Sequence, residues 1–191
     1  PVSDLILVLN CGSSSIKFAL FETSAPIPPD PATDPVTDPV TDTTTTPPIP
    51  AAPQLARKPL WNGKVDGMTG PTPTFGETGG TPGPVALQAE QPYHAALEHI
   101  HRRVSARRAE GGHRIAAVAH RVVHGGTQYS DPVRVDASVL ADLKTFIPLA
   151  PLHQPFALEA IDALLATQPD LPQVACFDTA FHHTLPDVEK M

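Results

Sequence analysis

Two short apolar runs open the chain, and a polar cluster separates them. Residues 5–9 are all aliphatic, residues 16–21 are mostly apolar, and the six residues between them are Asn, Cys, Gly and three Ser. A short uninterrupted apolar run is typical of a strand that is buried on both faces, and a Gly- and Ser-containing cluster favours a tight turn. The pattern therefore predicts a β-hairpin.

Strand-like and helix-like patterns alternate through the rest of the chain. Apolar residues recur at helical spacing within residues 86–108, and Asp136 is a candidate N-cap for a second helical segment. The full prediction is a strand at 58–66, a helix at 86–108, a strand at 114–123, helices at 136–146 and 155–167, and a strand at 173–177. Such alternation predicts an α/β layer fold, in which ligands gather at strand ends.

Two segments lack this patterning. Residues 24–53 are rich in Pro, Thr and Asp, repeat the tetrapeptide Thr-Asp-Pro-Val, and carry few large apolar side chains to offset the entropy of ordering. Residues 67–84 are rich in Gly, Pro and Thr. We therefore expect a disordered insertion at 24–53, a loop at 67–84, and a folded unit made of residues 1–23 and 54–191.

Composition excludes several classes of function. The formal net charge of −7 provides no basic field for nucleic acid or an anionic membrane. Cys11 and Cys176 lie far apart within apolar runs, which favours two reduced core thiols over a disulfide framework. The sequence contains neither a signal peptide pattern nor an apolar run of about 20 residues, which predicts a soluble cytoplasmic protein.

The predicted hairpin turn carries the groups of a phosphate site. Gly12, Ser13 and Ser15 supply backbone N–H groups and hydroxyls, and Lys17 adds a mobile positive charge. The turn is not a Walker A loop, because its Gly and Lys spacing differs and it leads into a strand. An ordinary serine-rich hairpin is the alternative interpretation.

A second polar cluster lies at the end of the strand predicted at 114–123. Arg121 offers a planar fork that forms two parallel hydrogen bonds with a carboxylate, although a structural ion pair explains the same residue equally well. His120 and His124 have the spacing of helical metal ligands, but residues four apart on a strand are too distant to share a metal. We therefore expect no metal at this histidine pair.

Two more candidates follow along the chain. His153 lies in a proline-flanked turn before the helix predicted at 155–167, where a structural and a functional role are both open. Asp178 follows the strand predicted at 173–177, and a carboxylate at such a strand end either caps the next turn or works with a cation.

Four segments, read together, resemble the acetate kinase family. They are Asn-x-Gly-Ser-Ser-Ser-x-Lys at 10–17, Ala-His-Arg-Val-Val-His-Gly-Gly at 119–126, Ala-Pro-Leu-His-x-Pro at 150–155 and Phe-Asp-Thr-Ala-Phe-His at 177–182. The resemblance extends over residues 3–22, 58–67 and 114–187. It implies an actin-like, sugar-kinase-like (ribonuclease H-like) α/β domain, a mixed sheet flanked by helices, with the second domain of the family missing.

The resemblance also gives each candidate residue a role in an enzyme that uses Mg²⁺ and ATP. The implied roles are a Mg²⁺ site at Asn10, ATP-phosphate contacts at Gly12, Ser13, Ser15 and Lys17, substrate-carboxylate binding at Arg121, an apolar substrate pocket at Val123 and Leu152, a contact to the transferring phosphoryl group at His153, and an essential acid at Asp178. A carboxylate substrate is already ionised at neutral pH, so Asp178 is expected to orient the Mg²⁺ complex or the nucleophile instead of removing a proton.

The implied reaction is transfer of the γ-phosphoryl group of ATP to acetate, which gives acetyl phosphate and ADP. The alternatives are propionate or butyrate as the substrate, a non-catalytic binding module, and another actin-like ATPase. The chain stops where the family continues into a second domain, through which family members dimerise. We therefore expect weak or absent turnover by the chain alone and no dimer of the family type.

Overall fold

The computed structural model describes residues 3–24 and 54–179. The insertion expected at 24–53 therefore lies outside the described residues, apart from its first one. Within the described residues the chain forms one eight-stranded sheet. Its strands are β1 (Asp4–Cys11), β2 (Ser15–Glu22), β3 (Trp61–Asp66), β4 (Thr74–Glu77), β5 (Gly83–Pro84), β6 (Arg114–Val122), β7 (Val133–Arg134) and β8 (Gln173–Phe177).

The sheet is mixed, as predicted. Its strand order is β5-β4-β3-β2-β1-β6-β8-β7, with β1 parallel to β6, β6 parallel to β8, and the other neighbours antiparallel. The predicted hairpin is formed by β1 and β2, and its turn is closed by the N–H of Gly12, which donates to the carbonyl oxygen of Ser15 at 2.9 Å. Because β1, β6 and β8 are parallel, their carboxyl ends lie side by side.

The prediction of a loop throughout residues 67–84 was wrong, because β4 and β5 lie within it. Both are short and lie at one end of the sheet. β5 is the edge strand, where glycine and proline are tolerated since one side of the strand needs no backbone partner. Phe75 on β4 stacks on Phe18 with ring centroids 6.2 Å apart. Contacts of Phe75 with distant residues leave no period-2 pattern in the sequence, so the sequence does not predict this strand.

Three α-helices are present among the described residues: α1 (Pro92–Gly111), α2 (Ala137–Thr145) and α3 (Gln154–Thr167). The carboxylate of Asp136 accepts a hydrogen bond from the N–H of Val139 at 2.8 Å, which confirms the predicted cap of α2. The helix predicted at 86–108 starts later, because Pro92 occupies its first turn, where no amide hydrogen is needed. Leu87 packs against the core from the segment before α1.

The helices pack on one face of the sheet. Leu5, Leu7 and Leu9 of β1 are buried in a cluster with residues of α1, while Val122 of β6 and Phe177 of β8 are buried with residues of α2 and α3. Side chains alternate between the two faces along a strand. The intervening positions near the carboxyl ends of β1, β6 and β8 therefore face away from the helices.

Candidate functional site

Three polar side chains come together where β1, β6 and β8 end. Asn10 on β1 pairs with Arg121 on β6, Arg121 pairs with Cys176 on β8, and Asp178 follows β8 directly. Asn10 and Arg121 are 111 positions apart in the chain. The parallel pairing of the strands therefore brings together residues that belong to three separate sequence motifs.

The guanidinium group of Arg121 links the other two side chains. Its Nε donates to Oδ1 of Asp178 at 2.9 Å and its Nη2 donates to Oδ2 at 2.6 Å, which is the bidentate geometry of an arginine–carboxylate pair. Its Nη1 donates to Oδ1 of Asn10 at 3.1 Å. The side chain of Arg121 is 54% exposed and that of Asp178 is 39% exposed, so a small solute can reach both.

Two lysines lie beside Asn10 on the same face of the sheet. Lys17 on β2 is opposite Asn10, and Lys64 on β3 is opposite Lys17. Nζ of Lys64 also donates to Oδ2 of Asp66 at 2.5 Å, and this hydrogen bond, followed by the charge of Lys64, lowers the pKa of Asp66. Like charges on adjacent strands repel each other, so an anion bound between Lys17 and Lys64 would be stabilising.

The hairpin turn presents hydroxyl groups next to these lysines. Ser13 is exposed and Ser15 is half-buried. The N–H of Gly12 is already used within the turn, and the carbonyl oxygen of Ser14 accepts a hydrogen bond from the N–H of Met68 at 3.1 Å. These backbone bonds fix the turn against the residues that follow β3, so its hydroxyls are held in place by the sheet.

The segment that carries Leu152 and His153 is anchored to the end of β6. Gln154, the first residue of α3, is buried, and its Nε2 donates to the carbonyl oxygen of His124 at 2.9 Å. Leu152 and His153 are exposed, and Leu152 is 74% exposed. Val123, which directly follows β6, is half-buried. The hydrogen bond of Gln154 therefore brings the proline-flanked turn close to the strand end that carries Arg121.

Two glycines shape the loop that follows β6. Gly126 has a φ of 62°, which is in the left-handed region that favours glycine. A Cβ atom at Gly125 would clash with the carbonyl oxygen of Tyr129. The paired glycines of this motif are therefore explained by backbone geometry beside the site.

The model of the acetokinase family matches residues 5–191. The chain belongs to the acetokinase family. An acetate kinase of Rhodopseudomonas palustris is 39% identical over 190 residues, which cover 98% of this chain and 40% of the relative. An acetate kinase of Shewanella baltica is 34% identical over 193 residues, which cover 97% of this chain and 39% of the relative. This acetokinase chain thus spans about 40% of the length of the curated relatives it matches.

Solved structures of two related kinases are similar to this chain in fold. A propionate kinase from Francisella tularensis has a TM-score of 0.65 and 31% sequence identity, covering 97% of this chain and 39% of its own. The acetate kinase of Porphyromonas gingivalis has a TM-score of 0.63 and 27% identity, covering 97% of this chain and 40% of its own. The predicted fold class is confirmed, since the acetokinase chain is an α/β domain of the actin-like fold.

The sequence alone does not single out two residues that the structure places beside the candidate site. Lys64 lies in a strand that was predicted, but only the β2–β3 register places it beside Lys17. Gln154 occupies the variable position of the Ala-Pro-Leu-His-x-Pro motif, and only the structure shows that its side chain is buried and bonded to the carbonyl oxygen of His124. Both omissions concern contacts between segments that are distant in the chain.

Among residues 3–24 and 54–179, no three His, Cys, Asp or Glu side chains form a cluster that could hold a metal ion. In the same ranges, no helix combines the length and the apolar character needed to cross a membrane.

His120, next to Arg121 in β6, faces the core instead of the site. It is buried, and its Nε2 lies 2.8 Å from Oε1 of Gln173, which is also buried. Burial lowers the pKa of His120 to about 4, and the hydrogen bond with Gln173 opposes this shift only in part. The imidazole is therefore neutral at physiological pH and joins β6 to β8 beneath Arg121.

Acidification is expected to destabilise the fold through His120. The unfolded imidazole has a pKa of about 6.5, so as the pH falls the unfolded state binds a proton before the folded state, whose pKa is about 4, can do so. Stability is lost between these two values, and the total loss is about 3 kcal/mol. Urea unfolding at about pH 7.5 and about pH 5 should show a loss of about 2 kcal/mol from this residue.

A His120→Asn variant tests this prediction, because its side chain does not titrate. The exposed residue His101 provides the control variant His101→Asn, which should keep the pH dependence of the unmodified chain. An equal pH dependence in the His120→Asn variant and the unmodified chain would show that His120 does not control it.

Proposed function

We propose that this acetokinase chain carries the substrate-binding wall of an enzyme that transfers the γ-phosphoryl group of ATP to acetate. The main support is the bidentate contact of Arg121 with Asp178, at 2.9 and 2.6 Å. An accessible guanidinium fork at the carboxyl ends of parallel strands already holds a carboxylate in the geometry that a small carboxylate substrate needs. The acetate and propionate kinases among the relatives support this reaction class.

The phosphate groups of ATP are assigned to the hairpin side of the site. Lys17 provides an exposed positive charge, Lys64 beside it provides a second one that is paired with Asp66, and Ser13 and Ser15 provide hydroxyl donors in the turn. Local positive charge of this kind is needed because the chain as a whole has a net charge of −7. The Gly12 N–H serves the same site indirectly, by holding the turn closed.

The side-chain oxygens of Asn10 and Asp178 suit Mg²⁺. Both accept hydrogen bonds from the same guanidinium group, so hard oxygen donors from two strand ends converge within the site. Mg²⁺ binds in proteins through one or two carboxylates together with waters and substrate phosphates, and it needs no full protein cage. Asn10 and Asp178 would hold the ion, which when bound neutralises charge on the transferring phosphoryl group.

The chemistry requires alignment and charge neutralisation more than proton transfer. The carboxylate oxygen of acetate attacks the γ-phosphorus, and the bond from that phosphorus to the β,γ-bridging oxygen breaks to release ADP. Both reactants are anions, so Arg121 and Lys17 lower the repulsion between them, while Asp178 orients the complex. We assign to His153, exposed just before α3, the contact with the transferring phosphoryl group.

Propionate is the second candidate substrate, because the propionate kinase from Francisella tularensis is 31% identical in sequence and shares the fold. Val123 and Leu152 are proposed to contact the substrate alkyl group. Leu152 is 74% exposed in the described structure, which leaves room for an additional methylene. One methylene changes discrimination by only about 1–3 kcal/mol, so turnover of both acids is expected with a modest preference for acetate.

Two properties of the working enzyme belong to the proposal. The relatives are about 2.5 times as long as the matched region, so we expect the 191-residue chain alone to turn over weakly or not at all. We also propose a cytoplasmic location, because Cys11 and Cys176 are both free thiols, as is common in a reducing compartment.

Acetyl phosphate formation from ATP, Mg²⁺ and acetate tests the proposal. The purified chain is assayed alone and together with the remainder of the Rhodopseudomonas palustris acetate kinase, supplied as a separate polypeptide. Asp178→Ala should lower the rate by about 10²-fold or more in whichever sample turns over, because it removes a preorganised charge from the site. Propionate in place of acetate then measures substrate preference.

A folded chain that forms no acetyl phosphate in either sample, and that binds acetate without any dependence on Arg121, would not support a carboxylate kinase site at these strand ends.

A further inference from the structure

We infer that Asp178 competes with the substrate carboxylate for the guanidinium group of Arg121, so that a carboxylate substrate must displace Asp178 to bind. The inference rests on the proposed function, which makes Arg121 the carboxylate site. All three guanidinium nitrogens already have partners, since Nε and Nη2 bind Asp178 and Nη1 binds Asn10. Asp178 thus fills the whole Nε–Nη2 edge, so a second carboxylate that binds this edge has to replace it. Two N–H groups of the five remain, but a carboxylate bound there while Asp178 stays in place would put two negative charges against one guanidinium group, where they repel each other.

A second arginine–aspartate pair, at the other end of β1 and β6, provides a comparison with a pair that stays closed. Arg114 donates from Nε to Oδ1 of Asp4 at 2.8 Å and from Nη2 to Oδ2 at 2.6 Å. The geometry matches that of Arg121 and Asp178, but Asp4 is buried, with a relative exposure of 5%. Opening that pair would leave a charge in the interior, which is costly.

Separating Arg121 from Asp178 carries no such cost. Asp178 and Arg121 are both accessible, so water can solvate each of them when they separate. Ion pairs between exposed side chains shift an equilibrium by no more than about fivefold. Asp178 therefore weakens the binding of an external carboxylate by no more than about fivefold, and the exchange leaves the charge next to the guanidinium group unchanged.

The exchange couples two proposed roles. While Asp178 is bound to Arg121, its oxygens are neutralised by the guanidinium group and the carboxylate site is filled. Substrate binding fills the guanidinium fork and releases the oxygens of Asp178, so that they become available to orient the reacting groups. A ligand that draws Asp178 away from Arg121 must therefore strengthen carboxylate binding. By thermodynamic linkage, the carboxylate strengthens the binding of that ligand by the same factor.

Acetate titration of the 191-residue chain, followed by the ¹H–¹⁵N signal of the Arg121 Nε–H group, tests the inference. Sodium acetate is compared with sodium chloride at equal ionic strength. Asp178→Asn should bind acetate about two- to fivefold more tightly than the unmodified chain, because the competing charge is gone. Asp178→Ser serves as a second variant with the same expected direction.

Glu77→Gln is the matched control. Glu77 forms a bidentate pair with Arg103 of α1, with Nε–Oε2 and Nη2–Oε1 distances of 3.3 and 2.5 Å, on the helical side of the sheet. Its loss frees a guanidinium group that belongs to no proposed site, so acetate affinity at Arg121 should not change.

The outcomes separate the inference from the proposed function. Equal or weaker acetate binding in both folded Asp178 variants, with binding still abolished by Arg121→Gln, overturns the competition and keeps Arg121 as the carboxylate site. Acetate binding that survives Arg121→Gln overturns both. Tighter binding in Asp178→Asn and Asp178→Ser, but not in Glu77→Gln, supports the competition.

Discussion

Replacing Arg121 with glutamine is expected to lower kcat/KM for acetate by about 10²- to 10³-fold, because it removes a preorganised charged donor pair from the reacting centre. The side chain of glutamine keeps an amide donor but has neither the charge nor the planar fork. The measurement is acetyl phosphate formation in the sample that turns over. The affinity for acetate should fall together with kcat/KM, since Arg121 is proposed to contact the substrate carboxylate.

Arg103→Gln is the control for this substitution. Arg103 also forms a two-point pair with a carboxylate, Glu77, but lies on α1, on the helical side of the sheet. Its loss should leave kcat/KM within about twofold of the unmodified value, as is usual for exposed surface ion pairs. A comparable loss in the two variants would mean that the effect of Arg121 reflects a general loss of positive charge or folding, and not a site.

Replacing Leu158 with alanine is expected to lower the free energy of unfolding by about 2–5 kcal/mol. Leu158 on α3 is 1% exposed and belongs to the same buried cluster as Val122 and Phe177. Val122 directly follows Arg121 and Phe177 directly precedes Asp178, so the packing of α3 supports the strand ends that form the site. Urea unfolding at neutral pH measures the loss.

Leu149→Ala is the matched control, because it removes the same atoms from a side chain that is 71% exposed. Surface substitutions of this kind usually change stability by less than about 0.5 kcal/mol. A similar loss of stability in the Leu158 and Leu149 variants would contradict the assignment of Leu158 to the core that supports β6 and β8.

The local elements of the fold could be predicted from the sequence because their signals are local. The continuous apolar run at 5–9 and the Gly/Ser cluster after it predict β1 and the turn, and Asp136 predicts the start of α2 through a hydrogen bond within a single turn. The error at residues 67–84 arose because β4 is stabilised by pairing with β3 and by Phe75, which packs against a residue far away in the chain.

By itself, the sequence determined the hairpin, the alternation of strands and helices, and the four motifs that resemble the acetate kinase family. Only the tertiary structure decided how these parts act together. The parallel pairing of β1, β6 and β8 places Asn10, Arg121 and Asp178 in one hydrogen-bonded group, and the β2–β3 register adds Lys64 beside Lys17. Strand order and register depend on contacts between distant residues, whereas a motif reports only on its immediate neighbours.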